Sequence, residues 1–276
     1  MEQNDDIRLE LPNEYHFAAF IEAAKEVHNY TNNPENDQIK SREMKGFIFF
    51  TEYQNSITPE DFNKSIVKRF ADRRLDDEHR PENPHRPSEK VPPSFAYFIM
   101  KEDKIIGFTT ANPQKRTQDD IDNGVKSYSK WNHLTDTGVR VESSTIILPS
   151  QQSKGYASKA KHQLFKELRK EGVEQIVATV NTDNIASNAA QKSLCRKYGG
   201  NSFTTDTGKG RPPGIEYKEH LMNRYIIDIT SLDNELNKEN STQLVAKHRG
   251  LTIPEEKSIQ KTTLSLTNTN LGSEKE

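Results

Sequence analysis

The chain has 276 residues, 32% of them hydrophobic and 29% charged, a balance too polar for the whole length to sit in one packed domain. A formal net charge of −2 supplies no global field for nucleic acid or an anionic membrane. The single cysteine, Cys195, excludes an intrachain disulfide and fits a reducing compartment. The opening residues, MEQNDDIRLE, lack the basic start and apolar core of a secretory signal, and no run approaches the roughly 20 apolar residues that span a bilayer. A soluble, cytoplasmic chain is expected.

Ile7 to Leu11 alternates apolar and charged residues and predicts a short strand that Pro12 ends. Phe17, Phe20, Ile21, Ala24 and Val27 recur at helical spacing. Asn29 to Ser41 reads as loop. Thr58-Pro59-Glu60-Asp61 is a helix start, with Phe62, Ile66, Val67 and Phe70 on the buried face. Asp76 to Pro93 holds five prolines and almost no apolar residue, which predicts an exposed loop. His79 and His85 stand beside acids there, but their spacing matches no compact metal site. No metal is expected.

Phe95 to Met100 and Ile105 to Ala111 form a predicted hairpin, followed by a polar insert from Asn112 to Gly138. That insert carries the only tryptophan, Trp131, read as an anchor for a long loop in preference to a lining residue. Val139 to Pro149 is a β-branched strand closed by a proline. The loop Gln152-Ser153-Lys154-Gly155-Tyr156-Ala157 then leads into a helix with Ala157, Ala160, Leu164 and Leu168 on one face, which Gly172 closes. Val173 to Val180 is the next strand, and Asp183 is a candidate cap for a helix running towards Tyr198. Asn201 to Thr205, a loop at Gly208 to Gly214 and a strand at Leu221 to Ile229 complete the folded part. The expected domain is 1–232, with loop insertions at 76–93 and 112–138. Residues 233–276, rich in Asn, Thr, Ser, Lys and Glu, are expected to form a polar tail outside it.

The loop before the central helix carries the chemistry. Helix N-terminal N–H groups lack intrahelical acceptors, and the macrodipole adds positive charge, so such an end takes an anion such as pyrophosphate. Gly155 lets a ligand approach the backbone, and Lys154 and Lys159 add charge. An ordinary strand-to-helix joint is the plainer account of one glycine.

Gln152, Gly155 and Ala157 match [RQ]-x-x-G-x-[GA], and Asn184-Ile185-Ala186-Ser187 follows as N-x-x-S. In this order the two resemble the GNAT family of N-acetyltransferases, over roughly Phe95 to Ile229. Within that family the flavour is similar to the subgroup that acetylates ribosomal-protein N-termini. The chain departs in having Gly199-Gly200 where the family closes with Gly-Phe. Counting from the strand end at Val180 selects Asn184 and Ser187. Counting back from Gly199 selects Asn188 and Gln191, and puts Cys195 where many relatives carry a tyrosine.

The resemblance implies an α/β fold with a mixed, mostly antiparallel central sheet, a splayed parallel strand pair and flanking helices. It implies acetyl-CoA as co-substrate, its arm along Ile146, Ile147 and Leu148 and its pyrophosphate at Gln152, Ser153, Lys154, Gly155, Tyr156, Ala157 and Ser158. Asn184 and Ser187 would also meet the cofactor. For direct transfer to an amine acceptor, Glu142 is the candidate base, Ser187 the donor to the leaving thiolate and Tyr198 an alternative acid. Each has a plainer account: a surface glutamate, a first-turn serine, a core tyrosine. No nucleic-acid or membrane partner is expected, and the chain is expected as monomer or homodimer. A second class stays open, an acetyl-CoA-binding regulatory module with little turnover. A dinucleotide-binding βαβ protein is disfavoured because G-x-G-x-x-G is absent.

Overall fold

The structure is a computed structural model that describes residues 6–33, 50, 57–75, 78–83, 86–206 and 221–239. Seven strands form one sheet: β1 (Arg8–Glu10), β4 (Phe95–Lys101), β5 (Lys104–Lys115), β6 (Val139–Ile147), β7 (Gln175–Asn181), β9 (Leu221–Asp228) and β8 (Gly200–Asp206), in that spatial order. Every neighbouring pair is antiparallel except β6 and β7, which are parallel. The mixed sheet with one parallel pair is the fold class that the motifs imply.

The period-2 pattern of the strands sends alternate residues to two different helical layers. On one face, Ala96, Phe98 and Met100 of β4 and Phe108 of β5 pack under α1 (Phe17–Asn32) and a second helical segment, α2. That segment runs as α-helix Pro59–Phe62, π-helix Asn63–Lys68 and α-helix Arg69–Asp72. Thr58 caps it as the sequence predicts: its hydroxyl accepts from the Asp61 N–H, and the Asp61 carboxylate accepts back from the Thr58 N–H. On the other face, Tyr97, Val139 and Val141 pack under α4 (Tyr156–Lys170) and α5 (Ile185–Tyr198). Gly172 follows α4 at φ +87°, the left-handed cap expected there.

Several expectations need correction. Part of the stretch read as a bare loop, 76–93, is a two-stranded ribbon of β2 (Glu82–Asn83) and β3 (Arg86–Lys90). The insert expected at 112–138 begins later, because β5 runs on to Lys115. Beyond Ala111 it has a strand partner on one side only, so Pro113 costs no ladder bond to β4. The remainder holds α3 (Gln118–Asp122) and a 3₁₀ turn at Ser129–Leu134, and the buried Trp131 packs on Phe95 and Tyr128 as an anchor. Asn184, not Asp183, caps α5, its side chain accepting from the Ser187 N–H at 3.0 Å.

The tail expected from 233 starts inside structure: residues 233–239 are helical. Asp233 takes a two-pronged ion pair from Arg169, Lys166 reaches Glu235 at 2.8 Å and also Glu239, and all of these tie to α4. The predicted loop at 208–214, His85 and the tail beyond 239 lie outside the described residues. Among the described residues, no helix is long and apolar enough to cross a membrane.

Candidate active site

The parallel pair is where the sheet opens. β6 and β7 have a single register pair, Glu142 opposite Val177. Past it, β6 keeps its β5 partners as far as Ile147, and β7 keeps its β9 partners as far as Asn181. Each strand is held on its outer side and loses the other on its inner side. The result is a wedge-shaped seam with its vertex at Glu142–Val177 and its mouth at the strand ends.

The predicted loop lies at the mouth. A 3₁₀ turn at Pro149–Gln151 leads into Gln152–Gly155, where Ser153 has φ +62° and Gly155 φ +79°. A side chain on Gly155 would meet nothing within 4 Å, so the need for glycine there is conformational and the space before the helix end is open. The first N–H groups of α4 point into that space. Gln152 donates to the Ile147 carbonyl at 3.2 Å, binding the loop to the end of β6. Lys154 folds back onto the Ser150 carbonyl and the Gln151 side chain. Tyr156 is buried, its hydroxyl accepting from Lys101 at 2.7 Å, and Ala157 packs beside Ile147 and Ala160. Ser158 is exposed on the first turn. Ile146 and Ile147 lie on the part of β6 that faces the seam edge, and Leu148 is buried just beyond it.

At the vertex, Glu142 accepts from Arg140 at 2.9 Å. Arg140 also donates to Asp120, which is fully buried and holds Arg224 of β9 at 2.7 Å and the backbone and hydroxyl of Thr117. One carboxylate from α3 thus bridges β6 and β9 across the head of the seam. On the opposite face of β6, Lys161 of α4 is 4% exposed and donates to Ser143 Oγ at 3.1 Å. Burial pulls its pKa down from 10.5 to about 8, against the opposing pull of Glu142.

The three candidate catalytic side chains do not converge. α5 runs back along β7: Asn188 donates to the Asn181 carbonyl, and Cys195 Sγ meets the carbonyl of Ile226, the residue paired with Val177. Ser187 therefore stands level with Asn181, four residues or about 13 Å along β7 from the vertex. Tyr198 is about 16 Å further down α5 than Ser187. It is buried against Phe165, hydrogen-bonded to His162, and its hydroxyl pKa is pushed up by burial. The tyrosine belongs to the core beneath the vertex, beside a cleft of about 370 Å³ at Gly199, Gly200 and Asp228 that lies at the other end of β7 from the loop. Among the described residues, no group of three or more His, Cys, Asp or Glu is arranged to hold a metal.

Sequence reading passed over Lys161, Ser143, Asp120 and Arg224. For Lys161 a signal exists: it sits four residues after Ala157 and three before Leu164, on the stripe that faces the core. For the Asp120 bridge none does, since Arg224 comes from β9, 104 residues after Asp120.

A family model described as the acetyltransferase (GNAT) family matches residues 52–194, just over half of the chain. No curated protein matches. Among solved structures, an N-acetyltransferase from Staphylococcus aureus Mu50 is similar at 12% identity and TM-score 0.42, covering 82% of this chain and all of that one. RimL, a ribosomal L7/L12 alpha-N-protein acetyltransferase in complex with coenzyme A, is similar at 13% identity and TM-score 0.45, with 82% and 95% covered. A putative acetyltransferase from Salmonella typhimurium with acetyl-CoA is similar at 15% and 0.38, with 82% and 95% covered.

Proposed function

This chain belongs to the GNAT family of acetyltransferases, and we propose that it transfers the acetyl group of acetyl-CoA directly to a primary amine, on a protein N-terminus or a small molecule. The observation that carries the reading is the seam: two strands pinned outside and parted inside, leading from a carboxylate at the vertex to an open helix N-terminus at the mouth. An amide-bearing pantetheine arm fits between such strand edges as an added strand would, beside Ile146 and Ile147. The pyrophosphate falls to the N–H groups around Ser153 to Ala157. The acetyl thioester then reaches the vertex.

Chemistry there needs a neutral amine, a stabilised oxyanion and a leaving thiolate. Glu142, oriented by Arg140, is the base in this reading. Asn184 and Ser187, level with the mouth, contact the cofactor arm and not the reacting carbon, and Tyr198 has no role in transfer. Release of coenzyme A on mixing the protein with acetyl-CoA and a panel of amines tests the activity. Glu142→Gln keeps shape but takes no proton; it should bind acetyl-CoA normally and lose about 100- to 10,000-fold in rate near neutral pH. A normal rate across pH would remove Glu142 from the mechanism.

The failure of Glu142, Ser187 and Tyr198 to converge favours one rival, a module that binds acetyl-CoA and turns it over poorly or not at all. Tight binding without coenzyme A release for any amine would select it.

A further inference from the structure

Ser143 is the first residue of β6 past the last pairing with β7, and it is 5% exposed. Its oxygen accepts from the Lys161 ammonium. A hydroxyl that accepts from an ammonium still has its own hydrogen to give. Lys161 is itself poorly compensated. Phe165 lies 6.0 Å away, and among the described residues no carboxylate forms an ion pair with it. A buried ammonium whose one hydrogen-bond partner among the described residues is a neutral hydroxyl is costly to keep. Gln191 of α5 is 5% exposed, and among the described residues its Oε1 has no hydrogen-bond partner. Buried polar groups are normally satisfied, so these stand out beside a seam that opens at the same level.

We propose that Ser143 and Lys161 form a charge-stabilising pair for the transfer: the Ser143 hydroxyl donates to the thioester oxygen as it becomes anionic, and Lys161 acts through Ser143. This rests on the acetyl-transfer reading above. As the amine nitrogen bonds to the carbonyl carbon, the carbonyl π pair moves onto oxygen, and that oxyanion accepts the Ser143 O–H without taking its proton. On collapse the pair returns, the C–S bond breaks and coenzyme A leaves as the thiolate. The amine proton departs through Glu142. Ser143 is then a catalytic residue and Lys161 a positioning residue whose charge sharpens the hydroxyl as a donor.

The test is a double-mutant cycle of Ser143→Ala and Lys161→Met, with kcat, acetyl-CoA affinity and melting temperature measured for each. Loss of one oxyanion donor typically costs about 100- to 1,000-fold, so Ser143→Ala should lose kcat on that scale while acetyl-CoA affinity stays within about threefold. Lys161→Met should lose less, and the double variant should be no slower than Ser143→Ala alone, because the lysine acts only through the serine. Lys161→Met should also melt higher than the parent, a readout that a purely structural lysine would move the other way.

In the parent, kcat should fall as pH rises past about 8 and Lys161 deprotonates; Glu142 is the charged group acting on it. That limb should vanish in Lys161→Met. Unchanged kcat in Ser143→Ala, or fully additive losses, overturns the pair while leaving acetyl transfer intact. A parent that neither binds acetyl-CoA nor releases coenzyme A overturns the transfer reading, and the pair with it. If Lys161→Met does not fold, Ser143→Ala and the alkaline limb of the parent decide.

Discussion

The two faces of the sheet bury different chemistry. Under α1 and α2 the core is a dry aromatic cluster in which Phe20, Phe50, Phe62, Phe98 and Phe108 meet ring to ring. Under α4 and α5 the core is aliphatic at its base but takes in Lys161, Asn188 and Gln191 where it passes beneath the seam. Asn188 is fully used: it donates to carbonyls of Asn181 and Asn184 and accepts from Tyr225 and Asn223. Among the described residues, Lys161 and Gln191 are not. The aromatic cluster is held by apolar contacts, and the other face gives up some stability where the parallel strands part.

Substitutions on the two faces should therefore differ in sign. Phe20→Ala empties a fully buried ring site and should cost about 3–5 kcal/mol, read from the urea midpoint; a loss below 1 kcal/mol would mean the cluster collapses freely. Lys161→Met should do the reverse. The folded lysine titrates at about 8 and the unfolded one near 10.5, so between those values the unfolded chain holds more protons and stability rises with pH. Below pH 8 the full penalty applies, of order 3 kcal/mol, and methionine relieves it. A stability curve flat from pH 8 to 10 in the parent would show that the ammonium is better solvated than its burial suggests.

At the mouth, Gly155→Asp forces a left-handed backbone on a residue with a side chain and sets a negative charge where a phosphate would lie. The protein should fold yet lose the stabilisation that acetyl-CoA gives, about 2.7 kcal/mol at a hundredfold excess over Kd. An undiminished thermal shift would remove the loop from the site. The smallest effect is expected at the rim of the α4 face: Asp233→Ala breaks the half-buried pair to Arg169 and should shift the melting temperature by no more than about two degrees. A larger drop would make the 233–239 helix part of the domain.

Local signals carried much of this fold into the sequence. Helical spacing from Phe17 to Val27, the Thr58 cap and the alternation in β6 each depend on residues within a few positions of one another, and each is read without tertiary context. Gly155 announced the loop for the same reason. The vertex stayed hidden because Asp120, Arg140 and Arg224 meet from α3, β6 and β9, and no spacing rule joins positions 20 and 104 residues apart across separate elements. The N-x-x-S pattern was legible as a helix start, Asn184 capping the Ser187 N–H. It found the start of α5, which stands level with Asn181, while the part of α5 level with Val177 lies nearer Cys195.

The single β6–β7 register pair makes one sheet behave as two in amide exchange. β4, β5 and β6 protect one another, as do β7, β8 and β9, while the inner-edge amides past Glu142 and Val177 lack a strand to shield them. These amides should exchange quickly in the ligand-free protein although their neighbours in the same strands exchange slowly. An arm lying in the seam would slow the inner edges and leave the outer ladders unchanged, so the footprint would trace the ligand residue by residue. Asp120 joins the two halves only at their head, through Arg140 and Arg224. Protection lost in Asp120→Asn should therefore spread from the vertex towards the mouth.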